Sequence, residues 1–368
     1  MKQYDVAAYV WPSYTGDEPR TRIFWPKGIG EWQTVQDAQP KFEGHRWPRY
    51  PAWGYVNEAD PAVMEMEINQ AVRHGVNVFI YDWYWYDRRP FLENCLNDGF
   101  LKAKNNTDMR FYLMWANHNV NHLWDKRLAG TEPGKTVIWQ GTVDRQDFEV
   151  MARRMVEKYF SVPNYYKIDG KPVLMIYDVE NLVKGFGSIA DTCDALQWMR
   201  RLVEENGHPG LHLQLCIRGD RDPKPEFVGQ SCTYAELTNL LGADSVTNYQ
   251  TGQLTSYSGE YLDQLHREEA CWKKIDEQYT VPYFPHISCG WDNNPRHQML
   301  KPSIIVGNTP ENLEKALLTA REYVDNHDLP VPLITVNSWN EWTEGSYLQP
   351  DDIYGYGYLE AVKRVFAK

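Results

Sequence analysis

Two glutamates, Glu341 and Glu344, stand three residues apart in the run Ser338-Trp339-Asn340-Glu341-Trp342-Thr343-Glu344-Gly345. Cleavage of a glycosidic bond needs such a carboxyl pair, in which one member gives a proton while the other takes one or attacks. In a regular strand, positions 341 and 344 have opposite parity and point to opposite faces. For both to reach one cleft the chain has to leave strand geometry near Glu341–Trp342, and Gly345 permits such a turn. A capped helix start with solvent-exposed acids would show the same spacing, so spacing alone leaves both readings open.

The elements that would position this pair follow from hydrophobic patterning. Strand-like runs occur at Val6–Trp11, Val76–Tyr86, Arg110–Asn117, Pro172–Asp178, Leu211–Ile217, Ser245–Tyr249, Tyr283–Ser288 and Leu333–Ser338. Several are continuous apolar runs, such as Val173-Leu174-Met175-Ile176, as expected of parallel strands covered on both faces. Helical spacing separates most of them. Asp60-Pro61 opens a helix with Met64, Ile68, Ala71 and Val72 on one face, closed by Gly75. Phe148, Met151, Met155 and Tyr159 form another helical set, and Ile189, Cys193, Leu196 and Val203 a third. A fourth follows Thr309-Pro310, with Leu313, Ala316, Leu317 and Ala320. This alternation predicts a single (β/α)8 barrel domain over residues 1–368, with an open doubly wound sheet as the alternative. No linker rich in Ser, Gly or Pro and no internal repeat divides the chain. The long stretch after the first strand, holding Trp25, Trp32, Trp47 and Trp53, is expected to fold over the barrel mouth.

Active groups of such a barrel lie at the C-terminal strand ends. In chain order these ends carry Tyr9 and Trp11; Asp82, Trp83 and Trp85; Trp115, Asn117 and His118; Tyr177 and Asp178; Arg218 and Asp220; Asn248 and Tyr249; His286, Trp291 and Asp292; and the final run with Trp339 and Asn340. Aromatics, amides and carboxylates converging on one face describe a polar, aromatic-lined cleft. Trp83, Trp85, Trp115 and Trp291 are candidate stacking platforms. Asp82, Asn117, His118, Asp178, Asn248 and Tyr249 are candidate hydroxyl partners. Tyr9, Trp11, His286, Trp339 and Asn340 complete the expected lining.

Composition narrows the ligand. With 38 basic and 50 acidic side chains the formal charge is −12, and no basic run offers a handle for phosphates, which makes nucleic acid and anionic membranes poor partners. The 15 Trp and 24 Tyr have apolar bodies and polar tips, which suits an oligosaccharide or polysaccharide with apolar faces and polar edges. Six cysteines (95, 193, 216, 232, 271 and 289) show no CxxC pair or metal-like spacing and read as buried thiols of a reducing compartment. No signal peptide or apolar run of membrane-spanning length is visible, so a cytoplasmic protein is expected; a processed chain from the periplasm or outside would look the same. No metal and no cofactor are expected.

Three weaker signals are outweighed. Gly185-Phe186-Gly187-Ser188-Ile189-Ala190 satisfies a dinucleotide fingerprint but does not directly follow a strand; a loop with Ser188 capping the next helix fits better. Asp220-Arg221-Asp222 is a DxD triplet, common by chance. His118 and His122 have helical zinc spacing, but the residues between them read as loop, so hydrogen bonding to sugar or backbone fits better.

The final run resembles the EWxEG signature of glycoside hydrolase family 99, the endo-α-1,2-mannosidases and mannanases. The chain as a whole resembles the family-99-like group called WbsX. The matching stretches are Ala7-Ala8-Tyr9-Val10-Trp11-Pro12, Trp53-Gly54-Tyr55, His74-Gly75-Val76, Phe79-Ile80-Tyr81-Asp82-Trp83-Tyr84-Trp85 and Leu113-Met114-Trp115-Ala116-Asn117-His118. The resemblance implies a (β/α)8 barrel and metal-free, retaining cleavage of α-linked sugars through their 2-hydroxyl by way of a 1,2-anhydro sugar. It assigns Glu341 as base toward that hydroxyl and Glu344 as acid and then base. Thr343 departs from the mannosidase pattern, which usually has His there. Two rival readings are a glycosyltransferase of O-antigen-type polysaccharide synthesis, a label the WbsX group has also carried, and a non-catalytic carbohydrate-binding barrel.

Overall fold

A computed structural model describes residues 3–16, 18–121, 124, 137–219 and 221–367. Eight strands run parallel: β1 (Asp5–Val10), β2 (Val78–Tyr86), β3 (Arg110–Trp115), β4 (Lys171–Ile176), β5 (His212–Cys216), β6 (Ser245–Thr247), β7 (His286–Ser288) and β8 (Leu333–Asn337). Their order, β7-β8-β1-β2-β3-β4-β5-β6, follows the chain. In register, Ala7 of β1 lies between Thr335 of β8 and Val78 of β2. The ring closes where Tyr283, just before β7, bridges Val246 of β6 in parallel sense. The fold is therefore the expected (β/α)8 barrel, each predicted strand run contributing one stave. Every residue of β1, β2, β5 and β8 is buried, as two-sided covering by helices requires.

The helices form for the reasons the patterning gives. Asp60 accepts from the Ala62 amide at 2.9 Å and Pro61 begins α1 (Pro61–Arg73). Met64, Ile68 and Ala71 of α1 are buried, whereas Val72 is exposed and falls off the expected face. Gly75 leaves the helix at φ +91°, where a side chain would be strained. The predicted sets also define α2 (Arg145–Met155). Gly185 and Phe186, expected in a loop, instead end α3 (Val179–Phe186), which is capped by the Asp178 side chain. Ser188 then caps α4 (Ile189–Glu205) by accepting from Asp191 at 3.0 Å. On α5 (Pro310–Asn326) all of Leu313, Ala316, Leu317 and Ala320 are buried.

The long segment after β1 packs onto the loops that follow β7 and β8. Trp47 donates through Nε1 to Asp292 at 2.6 Å, and the Ala52 amide donates to the Pro350 carbonyl at 2.8 Å. Trp25, Trp32 and Trp47 are buried, while Trp53 is half-buried. Of the cysteines, Cys95, Cys216 and Cys289 are buried, but Cys193, Cys232 and Cys271 are only half-buried, because the last three lie on or beside outer helices. No described helix is long and apolar enough to cross a membrane.

Candidate active site

At the C-terminal ends of the strands lies a cavity of about 140 Å³. Its lining includes Trp11, Asp82, Tyr84, His118, Trp124, Tyr177, Tyr249, Arg296, Glu341 and Glu344. Beyond β8 the chain leaves strand geometry as the glutamate pair requires. Residues 342–344 make a single 3₁₀ turn that ends at Gly345 with φ +61°. The turn brings both carboxyls to one side. Ser338 anchors its start, accepting from the Glu341 amide at 2.6 Å and donating to the Ser346 carbonyl at 2.7 Å.

Arg296 organises the carboxyls. Its guanidinium is buried and donates to Glu344 at 2.7 Å, to Glu341 at 3.2 Å and to Glu31 at 2.8 and 3.1 Å. Three carboxyls surround one cation, which holds the guanidinium firmly protonated despite its burial. Burial pushes both glutamate carboxyls above the usual range; for Glu341 the neighbouring Glu344 adds to the rise, and for both Arg296 opposes it. Two such groups facing one guanidinium titrate as a pair. Gln250 Nε2 donates to Glu344 at 2.9 Å and to Asn337 at 2.8 Å. The Tyr249 hydroxyl contacts Glu341 at 3.2 Å and Asp82 at 2.9 Å. Burial lowers the His118 pKa, so its ring enters as a neutral group; Nδ1 faces the Asn119 carbonyl at 3.1 Å.

The cavity collects Trp11, Asp82, His118, Tyr249, Glu341 and Glu344 from the expected set. The other candidates lie elsewhere. Asp82 and Tyr84 of β2 face the cavity, so the odd-numbered Trp83 and Trp85 face the helix layer by strand parity. There Trp83 donates to Glu93 at 2.9 Å. Trp115 packs against Phe148 of α2. Trp291 lies against Tyr257 with ring centroids 4.3 Å apart. Asn117 bridges the ends of β3 and β4, exchanging two 2.7 Å bonds with the Asp178 backbone, and Asp178 is a helix cap. Asn248 accepts from Tyr283 at 2.7 Å, and His286 is held between Thr335 and Ser288. Tyr9 lies edge-on beneath Tyr249 at 4.7 Å. Trp339 donates to Glu67 at 2.8 Å. Asn340 exchanges bonds of 2.7 and 2.9 Å with the Trp11 backbone, extending the β1 ladder and fixing Trp11 in the cavity wall. His122 and Asp220 lie outside the described residues.

Sequence reasoning missed Arg296, Glu31, Gln250, Tyr84 and Trp124. Arg296 ends the 3₁₀ turn Asn294–Arg296 and Glu31 stands at the N-cap of the short helix Trp32–Gln36, elements too brief for periodicity to mark them. Tyr84 had a readable signal, since it shares strand parity with Asp82.

Over residues 6–362 the chain matches the family model described as glycosyltransferase WbsX. It is 28% identical over 352 residues to the uncharacterized protein WxcX of Xanthomonas campestris pv. campestris, a match covering 95% of this chain and 48% of that protein. The chain thus spans about half the length of the curated relatives it matches. Among solved structures it is similar to a glycoside hydrolase-like protein, with TM-score 0.62 and 15% identity over 100% of this chain and 94% of that one. It is also similar to the GH99 endo-alpha-mannosidase from Bacteroides thetaiotaomicron, with TM-score 0.58 and 14% identity over 99% and 97% of the two chains. These structural likenesses concern the fold.

Proposed function

The chain belongs to the WbsX family, and from that premise we propose that it is a glycoside hydrolase acting on α-linked glycans with retention. The observation that supports this reading best is the pair Glu341 and Glu344 opening into one aromatic-lined cavity while sharing the Arg296 guanidinium. In the proposed reaction Glu341 takes the proton of the sugar's 2-hydroxyl as that oxygen attacks the anomeric carbon. The bond to the leaving oxygen breaks, and Glu344 supplies its proton. Water then opens the 1,2-anhydro sugar, giving a proton to Glu344 while Glu341 returns one to the 2-oxygen. Two inversions at one carbon amount to retention. Each positioned acid or base contributes about 10²–10⁴ in rate. Trp11, Tyr84, Trp124 and Tyr177 supply apolar surface for the ring, and His118 and Tyr249 supply polar contacts.

The family description carries a second reading, a glycosyltransferase. A sugar-nucleotide donor would bring a diphosphate to this cavity. Among the described lining residues the fixed cation is Arg296, and three carboxyls already share it. The electrostatics therefore favour a neutral glycan. The test is a screen of α-linked glycans for new reducing ends. Cleavage by the wild type that is lost in Glu341→Gln and Glu344→Gln is expected. Transfer from a sugar nucleotide without glycan hydrolysis would overturn the proposal.

A further inference from the structure

The hydroxyl of Tyr249 lies 2.9 Å from Asp82 Oδ2 and 3.2 Å from Glu341 Oε1. A phenol has one hydrogen to give. It can donate to one carboxyl only, and the second contact is a hydrogen bond only if the other carboxyl carries a proton and donates to the phenol oxygen. Read as two hydrogen bonds, the contacts require one neutral acid; burial raises both carboxyls, and the nearby cation decides which stays ionised. Glu341 has the Arg296 guanidinium at 3.2 Å. Asp82 touches no cation among the described residues. Its other oxygen, Oδ1, is buried and receives no protein donor among them. Leaving a buried carboxylate oxygen unpartnered costs far more than leaving the carbonyl oxygen of a neutral acid so. The groups facing Asp82 are the phenols of Tyr9, Tyr84, Tyr86 and Tyr249, the Cys216 thiol and the carboxyls of Glu341 and Glu344. None can stabilise an anion there by charge.

We propose that Asp82 is a positioning residue held as a neutral carboxylic acid: Oδ2–H donates to the Tyr249 oxygen, which turns the phenol's own hydrogen toward Glu341. This assignment rests on the reading of Glu341 as a base, because the directed hydroxyl stabilises Glu341 as an acceptor. Burial pushes the Asp82 carboxyl far above its ordinary range, in the same sense. The role differs from that of a partner for a sugar hydroxyl, because Asp82 acts on Glu341 through Tyr249.

Difference infrared spectroscopy of the intact protein at neutral pH tests the proposal without any substrate. The wild type should show the carbonyl band of a protonated carboxyl that Asp82→Asn removes. Tyr249→Phe should shift that band, because the acid loses its acceptor. A difference spectrum in which Asp82→Asn removes only a carboxylate band overturns the proposal, as does a band that ignores Tyr249→Phe. On a glycan the wild type cleaves, Asp82→Asn keeps a neutral donor at the same place. It should recover at least roughly tenfold of the rate lost in Asp82→Ala. Equal losses in the two variants contradict the role. If Glu341→Gln stays active while the infrared band behaves as expected, the reading of Glu341 as base falls and the neutral Asp82 stands.

Discussion

Two groups of buried glutamates flank the same turn and are built in opposite ways. In front, Glu31, Glu341 and Glu344 gather round Arg296 at the cavity. Behind it, Glu58 and Glu67 sit on the inner side of the mouth segment and α1, fully buried. Among the described residues they meet only neutral donors. Asn340 and Gln349 donate to Glu58, at 2.9–3.0 Å and 3.2 Å, and Trp339 donates to Glu67. Burial raises Glu58 to about 7 and Glu67 well above its ordinary range, with Glu58 adding to the latter. The run 339–344 thus points amide and indole donors backward and acids forward. In the proposed reaction the carboxyls that exchange protons have a cation and a cavity, whereas Glu58 and Glu67 have neutral donors and burial holds their protons to higher pH.

The contrast is tested most simply by replacing a carboxyl with an amide on each side. Glu344→Gln and Glu341→Gln should lower cleavage of a natural glycan by about 10³ or more. Glu67→Gln, which keeps the shape of the neutral acid, should stay within about tenfold of wild type by the same reducing-end assay. Comparable losses in front and behind would dissolve the distinction.

Arg296→Met tests the cation itself. Three carboxyls would be left without a counter-charge, a kind of change that costs about 3–5 kcal/mol. A fall in Tm together with loss of activity is expected, and an unchanged Tm would show that the three acids need no such partner.

A smaller effect should appear in the pH dependence of stability. The Glu58 carboxyl rises from 4.5 to about 7 on folding. Between those values the folded protein holds a proton that the unfolded chain has released. This contribution is therefore fully present below 4.5 and is lost as pH climbs through about 7. Glu67 acts in the same direction. Glu67→Gln should flatten the decline of Tm as pH rises above the ordinary glutamate range and change little below it. A variant curve parallel to the wild type would mean that Glu67 is ionised in the fold. The smallest expected effect is none: a chelator should leave glycan cleavage unchanged, and a loss reversed by one divalent ion would contradict the proposed mechanism.

The barrel was legible because β-rich runs such as Val173–Ile176 and capped helices such as Pro310–Asn326 obey periodicities that burial enforces. The glutamate pair was legible only in part: its spacing left a solvent-exposed helix start open, and the resemblance of residues 338–345 to a known signature favoured the cleft. The aromatic platforms were not: Trp83 and Trp85 attract the eye, yet parity with Asp82 puts them behind the wall and Tyr84 in the cavity. Arg296 and Glu31 come from two short elements distant in sequence, and the packing of the mouth segment over the barrel brings them together. No local pattern encodes that meeting.

The division of labour between Glu341 and Glu344 is tested most directly by comparing leaving groups. Protonation matters most when the departing oxygen is a poor leaving group. Glu344→Gln should cripple cleavage of the natural glycan far more than cleavage of an activated aryl glycoside, whereas Glu341→Gln should damage both alike. The matching 2-deoxy glycoside should resist even the wild type. Normal turnover of the 2-deoxy compound, or equal sensitivity of the two variants to the leaving group, would contradict the account.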